Sequence, residues 1–277
     1  MISIVIPTFN NLDYLKLCLR SIKQNSSYHH EIILHINDGS DGTLDFVCNN
    51  NYKYTKSESN IGLCSAINKA AKLASNNYIL YSHDDMYFCP DWDVVLEKEI
   101  KSIGHDNFYL SGVMIQKKNG HINFDCGQTY NDFDEQKLLN NYKKIDCCDQ
   151  QGSHFAPHLV SKELWYKVNG FSEEFNPGIA SDPDFNMKLW NCGVRIFKGL
   201  KNFKVYHFGS ITTRKKNNFI QNKGEKTFLK KWGFSTKFFK KYYLKTNSEY
   251  KDKLNNPNKN LFYYLELLIC RIKLIFT

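Results

Sequence analysis

Buried strands that alternate with helical segments dominate the start of this 277-residue chain and restrict its fold more than any other feature. Ile2–Ile6, Glu31–Ile36 and Tyr78–Tyr81 are predicted strands, and the first and last lack the polar alternation of a half-exposed strand. Between them, apolar residues recur at helical spacing over residues 12–22 and 63–74. Strands that alternate with helices form βαβ units, so we predict an α/β fold with a mainly parallel sheet and helices on both faces.

The pattern changes after a predicted helix over Asp91–Ile103. Phe108–Ile115 and His121–Phe124 are predicted strands, and the segment Lys118-Asn119-Gly120 between them has the residues of a hairpin turn. Residues 131–152 are polar and irregular, which predicts a mobile loop. This second section is therefore expected to differ from the βαβ pattern of the first.

Two further helices and a tail complete the predicted organisation. The helices cover Lys162–Val168 and Pro183–Asn191, and Gly170 and Gly193 follow as C-cap residues. We divide the chain into a first half over residues 1–103, a second half of the same domain over 104–213, and a C-terminal extension over 214–277.

Positive charge is concentrated in the extension. Residues 214–277 hold 16 Lys and Arg against 4 Asp and Glu, a net charge of +12, whereas the preceding residues carry −3. A nucleic-acid groove in the main domain is therefore not expected. The extension combines basic and aromatic residues, which suits a helix at an anionic membrane surface. The alternative is that its aromatic side chains pack on the main domain or form a dimer face while the lysines remain solvated.

The cysteines and the N-terminal residues indicate the compartment. The nine cysteines include no CxxC pair of metal-ligand spacing, so disulfide and zinc sites are not expected and a reducing compartment fits best. The start, MISIVIP, lacks the basic segment and cleavage site of a leader and is interpreted as the first strand. No run of about 18 apolar residues is present. We expect a cytoplasmic protein, peripheral on the membrane face if the extension binds lipid.

Polar residues follow three predicted strands, at the sheet edge where open parallel sheets bind ligands. The segments are Pro7-Thr8-Phe9-Asn10, Asn37-Asp38-Gly39-Ser40 and Ser82-His83-Asp84-Asp85. Because the chain has no glycine-rich phosphate loop, a metal held by carboxylates is expected to neutralise phosphate groups. Asp84 and Asp85 would hold Mn²⁺ or Mg²⁺ there. Two adjacent aspartates alone also fit a solvated turn with a helix cap.

Six segments resemble the motifs of family-2 glycosyltransferases and occur in the same order. They are IVIPTFNN, INDGSDGT, SNIGLCSAINKA, YSHDDMYFCPDW, GFSEEFNPGIASDPDFNMKLWNCGVRI and VYHFGS. The resemblance implies a GT-A fold with a Rossmann-like sheet, a nucleoside-diphosphate sugar donor and inversion at the anomeric carbon. It also implies that residues 1–103 bind the nucleotide sugar and that residues 104–213 bind the acceptor and carry the catalytic groups.

The resemblance assigns the donor site residue by residue. Asp38 matches an aspartate that accepts a hydrogen bond from the base of uridine donors, which favours a UDP-sugar. Asp84 would contact the ribose, the sugar or the metal. The other residues implied to line the nucleotide-sugar site are Pro7, Thr8, Asn10, Asn60, Gly62 and Asn68.

The resemblance also implies a metal site and a general base. Asp85 is the expected metal ligand, and His207 matches a histidine that coordinates the metal or diphosphate in some relatives, although alone it fits an ordinary strand histidine. Asp182 occupies the place of the carboxylate that takes the proton of the acceptor hydroxyl. Because Asp182 precedes Pro183, we also expect it to cap the helix that follows, which would keep it ionised.

Three residues depart from the family pattern. His83 stands where many relatives have an acidic or amide residue, which leaves the number of metal ligands open. Ser181 replaces an acidic residue and Ile67 replaces an arginine. His154 lies where relatives bind the acceptor and is equally compatible with an ordinary surface histidine.

The expected function is metal-dependent, inverting transfer of a sugar from a UDP-sugar to a hydroxyl of a glycan or lipid-linked acceptor. A sugar-phosphate nucleotidyltransferase is the alternative enzyme, but it needs a glycine-rich loop with Arg and Lys after the first strand, which PTFNNLDY lacks. A degenerate glycan-binding protein of the same fold is the other alternative. Loss of Asp85 or Asp182 would favour it, and both are present.

Overall fold

Ten strands form one mixed sheet in the computed structural model, which describes residues 1–209 and 218–276. The strands are β1 (Ser3–Phe9), β2 (Glu31–Asn37), β3 (Lys53–Ser57), β4 (Tyr78–Tyr81), β5 (Met86–Phe88), β6 (Phe108–Gln116), β7 (Ile122–Asn123), β8 (Gln150–Gln151), β9 (His158–Ser161) and β10 (Ile196–His207). Eight of them follow the order β3-β2-β1-β4-β9-β6-β10-β5, while β7 pairs with β6 and β8 with β10.

The strands β1 to β4 form the parallel part of the sheet. The register aligns Phe9 with Asn37, so the carboxyl ends of β1 and β2 lie side by side. β9 then runs antiparallel between β4 and β6, and β10 is parallel to β6. The short strand β5 is antiparallel to β10 at the sheet edge. The predicted α/β class is confirmed, with antiparallel strands added after β4.

The helices connect these strands and extend beyond them. They are α1 (Leu12–Asn25), α2 (Thr43–Asn49), α3 (Leu63–Ala71), α4 (Trp92–Ile103), α5 (Glu135–Asn141), α6 (Lys162–Lys167), α7 (Ser181–Asn191), α8 (Asn218–Trp232), α9 (Thr236–Phe239) and α10 (Leu261–Ile275). A 3₁₀ turn covers Glu173–Phe175 and a π-helical turn covers Lys240–Leu244. α3 packs on β1 and β2, and α4 packs on β10.

The predicted hairpin of residues 108–124 is wrong, because β7 pairs with β6 in parallel. Asn119 adopts a left-handed conformation with φ of 65°, and the chain makes a full loop instead of a reversal. Nδ1 of His121 accepts a hydrogen bond from the Met114 amide at 2.9 Å, which occupies a donor that an antiparallel partner would need. The loop then returns Ile122 opposite Ile115.

The prediction of an irregular loop over residues 131–152 is also wrong, since this segment contains α5 and β8. Asp134 caps α5 by accepting a hydrogen bond from the Lys137 amide. Leu138 and Tyr142 are buried in a second apolar cluster with residues of β6 and β7. A few well-spaced apolar residues therefore suffice to fix a polar segment on the sheet.

The aromatic residues of the extension belong to the main core. Phe228, Phe234, Phe238 and Phe239 are buried there together with residues of the sheet and α7. The amide of Leu254 donates to the Arg195 carbonyl at 2.8 Å, which holds the following segment on the domain as well. The alternative of packing is therefore correct for the aromatic residues that precede α10. Among the described residues, no helix has the length and apolar character needed to cross a bilayer.

Candidate active site

A cleft of about 270 Å³ opens beyond the carboxyl ends of β1, β2 and β4. The polar segments that follow these strands meet there, as their position in the sequence predicts. Its walls are formed by Pro7, Thr8, Phe9, Asn37, Asn60, Leu63, His83, Asp84, Asp85, Pro177, Gly178, Ile179 and Asp182. The cleft thus brings predicted donor, metal and base residues together.

Asn10 and Asp38 form a connected pair beside this cleft. The Asn10 amide donates to Oδ2 of Asp38 at 3.1 Å, and Oδ1 of Asn10 accepts from the Gly39 amide at 3.0 Å. Asp38 and Gly39 both have positive φ, so the chain turns sharply after β2. The hydrogen bond from Asn10 lowers the pKa of Asp38. A half-buried, ionised carboxylate is therefore held in place at the end of β2.

Gly62 and Asn68 lie behind the cleft and are not among its lining residues. A Cβ on Gly62, whose φ is +86°, would lie 2.4 Å from Oδ1 of Asn176. The Asn68 side chain donates to the Phe171 carbonyl at 2.7 Å and accepts from the Phe171 amide at 2.9 Å. Both residues therefore support the segment that leads to Pro177 in the opposite wall.

His83, Asp85 and His207 form a cluster whose ligand atoms all lie within 4.8 Å of one another. Oδ1 of Asp85 is 3.3 Å from Nε2 of His207 and 3.8 Å from Nδ1 of His83. The antiparallel pairing of β5 with β10 places His207 opposite Met86, next to Asp85 in the chain. Two imidazoles and a carboxylate are a donor set that binds divalent transition metals.

The side-chain amide of Gln116 holds the His207 ring from the other side and approaches Nδ1 to 2.5 Å. Gln116 is the last residue of β6, and His207 is the last residue of β10. Because the two strands are parallel, both residues lie on the same side of the sheet. Sequence reasoning missed this residue. The available signal was a polar side chain at the carboxyl end of a largely apolar strand, the same signal that identified the other segments.

Burial controls the protonation of the two residues that precede Asp85. Burial and the charge of Asp85 raise the pKa of Asp84 to about 7. Burial lowers the pKa of His83 to about 4, so its ring is neutral near pH 7 and has a lone pair for a cation. The family pattern left open whether His83 is a metal ligand. Its position in the cluster and its neutral ring are both compatible with that role.

Asp182 lies in the first turn of α7 and lines the cleft. Burial raises its pKa to about 7, and Lys240 opposes this shift. The predicted capping role is wrong, because α7 begins at Ser181 and its cap residue is Ala180, with φ of 62° and no side-chain hydrogen bond. Oδ1 of Asp182 is buried without a hydrogen-bond partner among the described residues. The described residues therefore leave the hydrogen-bonding capacity of this oxygen unused.

The extension clamps the helix that carries Asp182. Asp184 is completely buried, and its carboxylate accepts from Trp232 and pairs with Lys231 of α8, both at 2.9 Å, while Ser172 donates at 2.6 Å. α9 also packs on α7. Lys240, just after α9, lies close enough for its charge to act on Asp182. Sequence reasoning did not place Lys231, Trp232 or Lys240 near the site, because they follow Asp182 by about 50 to 60 residues in the chain.

The remaining predicted residues have structural contacts. The Ser181 hydroxyl donates to the Gly178 carbonyl at 2.6 Å and so fixes the wall of the cleft. Ile67 is fully buried in the core. His154 packs against Phe155 with ring centroids 4.6 Å apart, and burial lowers its pKa to about 3. His154 is not among the residues that line the cleft.

Comparisons with known proteins agree with this architecture. The model of glycosyl transferase family 2 matches residues 3–158. Chondroitin synthase of Pasteurella multocida (strain Pm70) is 26% identical over 238 residues, which cover 79% of this chain and 22% of that protein. The chain therefore spans about a fifth of this relative.

Two solved structures show the same fold. S. aureus TarS 1–349 in complex with UDP-GlcNAc matches with a TM-score of 0.56 and 16% identity over 76% of this chain and 60% of that one. The mannosyltransferase PcManGT from Pyrobaculum calidifontis, in complex with GDP-Man and Mn²⁺, matches with a TM-score of 0.51 and 13% identity over 74% and 56%. The family match covers more than half of the chain, and the fold and the strand-end cleft agree with it. The chain belongs to glycosyl transferase family 2 and has a GT-A fold.

Proposed function

We propose that this protein is a glycosyltransferase that moves a sugar from a UDP-sugar to a hydroxyl of a glycan or lipid-linked acceptor, with metal assistance and inversion at the anomeric carbon. The observation that carries the proposal is the position of Asp182 in one cleft with His83 and Asp85. A base and a cation site on the same cleft are what a single displacement at a sugar carbon requires.

The donor would lie along the carboxyl ends of β1 and β2. Pro7 and Thr8 line the inner wall, and Asn60 lies on the side of α3. Asp38, ionised and fixed by Asn10, would accept a hydrogen bond from the ring N–H of uracil. TarS supports a UDP-sugar and PcManGT a GDP-sugar, and the choice of uridine rests on Asp38.

His83, Asp85 and His207 would hold the metal. Mg²⁺ prefers oxygen ligands, so a set with two imidazole nitrogens favours Mn²⁺ of the two expected metals. When bound, the cation would act as a Lewis acid on the departing nucleoside diphosphate. The neutral ring of His83 and the contact of Gln116 with His207 support this assignment.

Asp182 would take the proton of the acceptor hydroxyl. As the acceptor oxygen bonds to the anomeric carbon, the bond from that carbon to the diphosphate oxygen breaks, and the hydroxyl proton passes to the carboxylate. Attack from the face opposite the leaving group inverts the configuration. A pKa of about 7 suits this role, since a base works best when its pKa is close to the working pH.

The proposed acceptor class is supported by the family and by the relative. Chondroitin synthase supports an acceptor that is a growing polysaccharide, and we propose such a role in glycan biosynthesis. His154 would border the acceptor only if the substrate extends from the cleft toward Lys240, which acts on both His154 and Asp182. We also propose that the protein works in the cytoplasm on a membrane face, where its basic extension meets anionic lipid.

A screen of nucleotide sugars for metal-dependent release of nucleoside diphosphate tests the proposal. UDP release from one UDP-sugar, increased by an acceptor, is the expected result. Release of pyrophosphate from a nucleoside triphosphate and a sugar phosphate would identify a nucleotidyltransferase instead. Binding of glycan without turnover of any nucleotide sugar would identify a degenerate relative.

A further inference from the structure

Among the described residues, one side of the helix α10 packs on the domain. Tyr263 and Cys270 are buried in the main core, and Leu267 and Leu274 pack against it. Glu266 forms an ion pair with Lys241 on the same side. These contacts fix the orientation of the helix, so its opposite side faces away from the domain.

That opposite side, which we call the outer face, is apolar. It consists of Leu261, Phe262, Tyr264, Leu265, Leu268, Ile269, Ile272, Ile275 and Phe276. Each of these side chains is between 47% and 83% exposed. At 100° per residue, the outer face covers roughly 160° of the helix circumference. Contiguous apolar surface of this kind marks a binding site in a soluble protein.

The borders of the outer face are basic and aromatic. On a helical wheel, Arg271 lies next to Tyr264 on one border, and Lys273 lies next to Phe262 on the other. Both basic residues are exposed. The long stems of Arg and Lys can follow an apolar surface while their charges reach phosphate groups, and tyrosine favours the same depth of a bilayer. The outer face therefore has the charge distribution of a helix that lies in a membrane interface.

We propose that α10 docks on an anionic lipid leaflet, with its axis parallel to the membrane and its outer face between the headgroups. Its 15 residues span about 22 Å, less than the roughly 30 Å hydrocarbon core, so the helix lies on the bilayer. The inference rests on the membrane-face location proposed above and names the surface that makes the contact. It does not depend on the proposed chemistry of the cleft.

Charge favours lipid over a second copy of the chain. Two outer faces packed together would bring Arg271 and Lys273 of one copy toward the same residues of the other. Like charges at such a border repel, whereas anionic headgroups neutralise them.

The test is co-sedimentation of the full chain with vesicles of phosphatidylcholine alone or with about a third phosphatidylglycerol. We expect binding to the anionic vesicles that weakens in high salt and reverses without detergent. The triple variant Leu265→Ser, Ile269→Ser and Ile272→Ser should lower the partition coefficient at least tenfold. These side chains are exposed, so the fold should remain, which circular dichroism verifies. Tyr166→Ser, an exposed aromatic of α6, is the matched control and should bind like the parent.

A second pair of variants isolates the charge. The double variant Arg271→Gln and Lys273→Gln should lose most of the preference for anionic vesicles. The control variant Lys101→Gln and Lys167→Gln removes the same amount of charge elsewhere on the surface and should retain that preference. Equal binding of the parent to neutral vesicles would overturn the proposal. So would a stable dimer in light scattering that the triple serine variant makes monomeric.

Nucleoside-diphosphate release, measured in parallel, separates this inference from the catalytic proposal. The serine variant should retain release with a soluble acceptor. A parent protein that binds anionic vesicles but releases no nucleoside diphosphate would contradict only the proposed catalysis.

Discussion

The side-chain amide of Gln116 lies 2.5 Å from Nδ1 of His207, on the opposite side of the ring from the nitrogen that faces Asp85. The contacting atom is the amide nitrogen, which would donate to Nδ1 and leave the proton on Nε2 of His207. A 180° rotation of the amide would let its oxygen accept from Nδ1–H and leave Nε2 free for a metal, so we expect Gln116 to adopt that orientation when a metal is bound.

Removal of this contact should weaken metal binding before it affects the fold. Gln116→Leu should lower the affinity for Mn²⁺ by about 10- to 100-fold, as other losses of such supporting hydrogen bonds do. Gln116→Glu, which still accepts from the ring, should retain it. Calorimetric titration of the substrate-free protein measures both, with Gln136→Leu on the exposed side of α5 as the control. Unchanged affinity in Gln116→Leu would show that the contact is incidental.

Activity should disappear with a chelator and return with added cation. Because two of the three clustered side chains are imidazoles, Mn²⁺ should restore more turnover than Mg²⁺ at equal concentration. Asp85→Ala should weaken both donor binding and turnover, which a donor titration and an assay of nucleoside-diphosphate release measure. Full activity in excess chelator would contradict the metal assignment.

The substitution Asp182→Asn should distinguish a role of Asp182 as the general base from a purely structural role of its side chain. The variant has the same shape but accepts no proton, so turnover should fall on the order of 10²-fold or more. In the parent, turnover should rise with pH through about 7 as Asp182 ionises. A variant with normal turnover would exclude Asp182 as the base.

The same substitution should stabilise the fold at high pH. The folded state raises the pKa of Asp182 from 3.8 to about 7, so between these values the folded chain binds more protons than the unfolded chain. The contribution of Asp182 to stability therefore becomes less favourable as pH rises through this window. Asp182→Asn removes this dependence, and its melting temperature at pH 8 should equal or exceed that of the parent. Thermal melts at pH 5 and pH 8 measure the difference.

The base of the donor should be uracil. Asp38, held by Asn10, presents a carboxylate acceptor to a ring N–H, and we expect UDP to bind more tightly than GDP or CDP. Asp38→Ala should reduce the preference for UDP more than it reduces the affinity for diphosphate in general. Calorimetry with the three nucleotides decides this, and a clear preference for GDP would contradict the assignment.

Loss of the clamp on α7 should destabilise the whole domain. Lys231→Met leaves the fully buried carboxylate of Asp184 with two described partners, Trp232 and Ser172, at a cost of about 2–4 kcal/mol in the free energy of unfolding. Lys230→Met, at the exposed neighbouring position, should cost almost nothing. Adding Asp184→Asn to Lys231→Met should recover part of the loss in urea titrations.

The strands β1, β2 and β4 could be predicted because each is a short and largely apolar run, whereas β3 is polar. The segments that follow them could be placed because parallel strands end on the same side of a sheet. The wrong hairpin shows the limit of this reasoning. Lys118-Asn119-Gly120 has turn chemistry, but the contact of His121 with the Met114 amide sends the chain around a full loop. A single hydrogen bond between a side chain and a strand amide produces no repeating pattern in the sequence, so it could not be predicted.

From position in the sequence alone, the site was predictable only at strand ends, as for Asp85. Asp182 lies in a helix and was identified by the family resemblance, and both residues line the cleft. The approach of Lys240 depends on the packing of the extension, which no local pattern encodes. The prediction that Asp182 caps α7 is wrong because the helix begins one residue earlier, at Ser181, with Ala180 in the left-handed conformation as its cap residue. The position of Pro183 had suggested a later start.

The pairing of β5 with β10 has a mechanical consequence. β5 has only three residues and lies at the open edge of the sheet, where strands detach most easily. His83 and Asp85 precede it, and His207 ends its partner, so a cation bound by all three would staple the edge strand to its neighbour. A one-residue slip in this ladder would turn His207 to the other face of the sheet. Pairing of β5 with β10 and binding of the cation would then be coupled, so that each favours the other. The amides of Phe208 and Cys89 donate across these two segments, and their hydrogen exchange would slow when the cation binds.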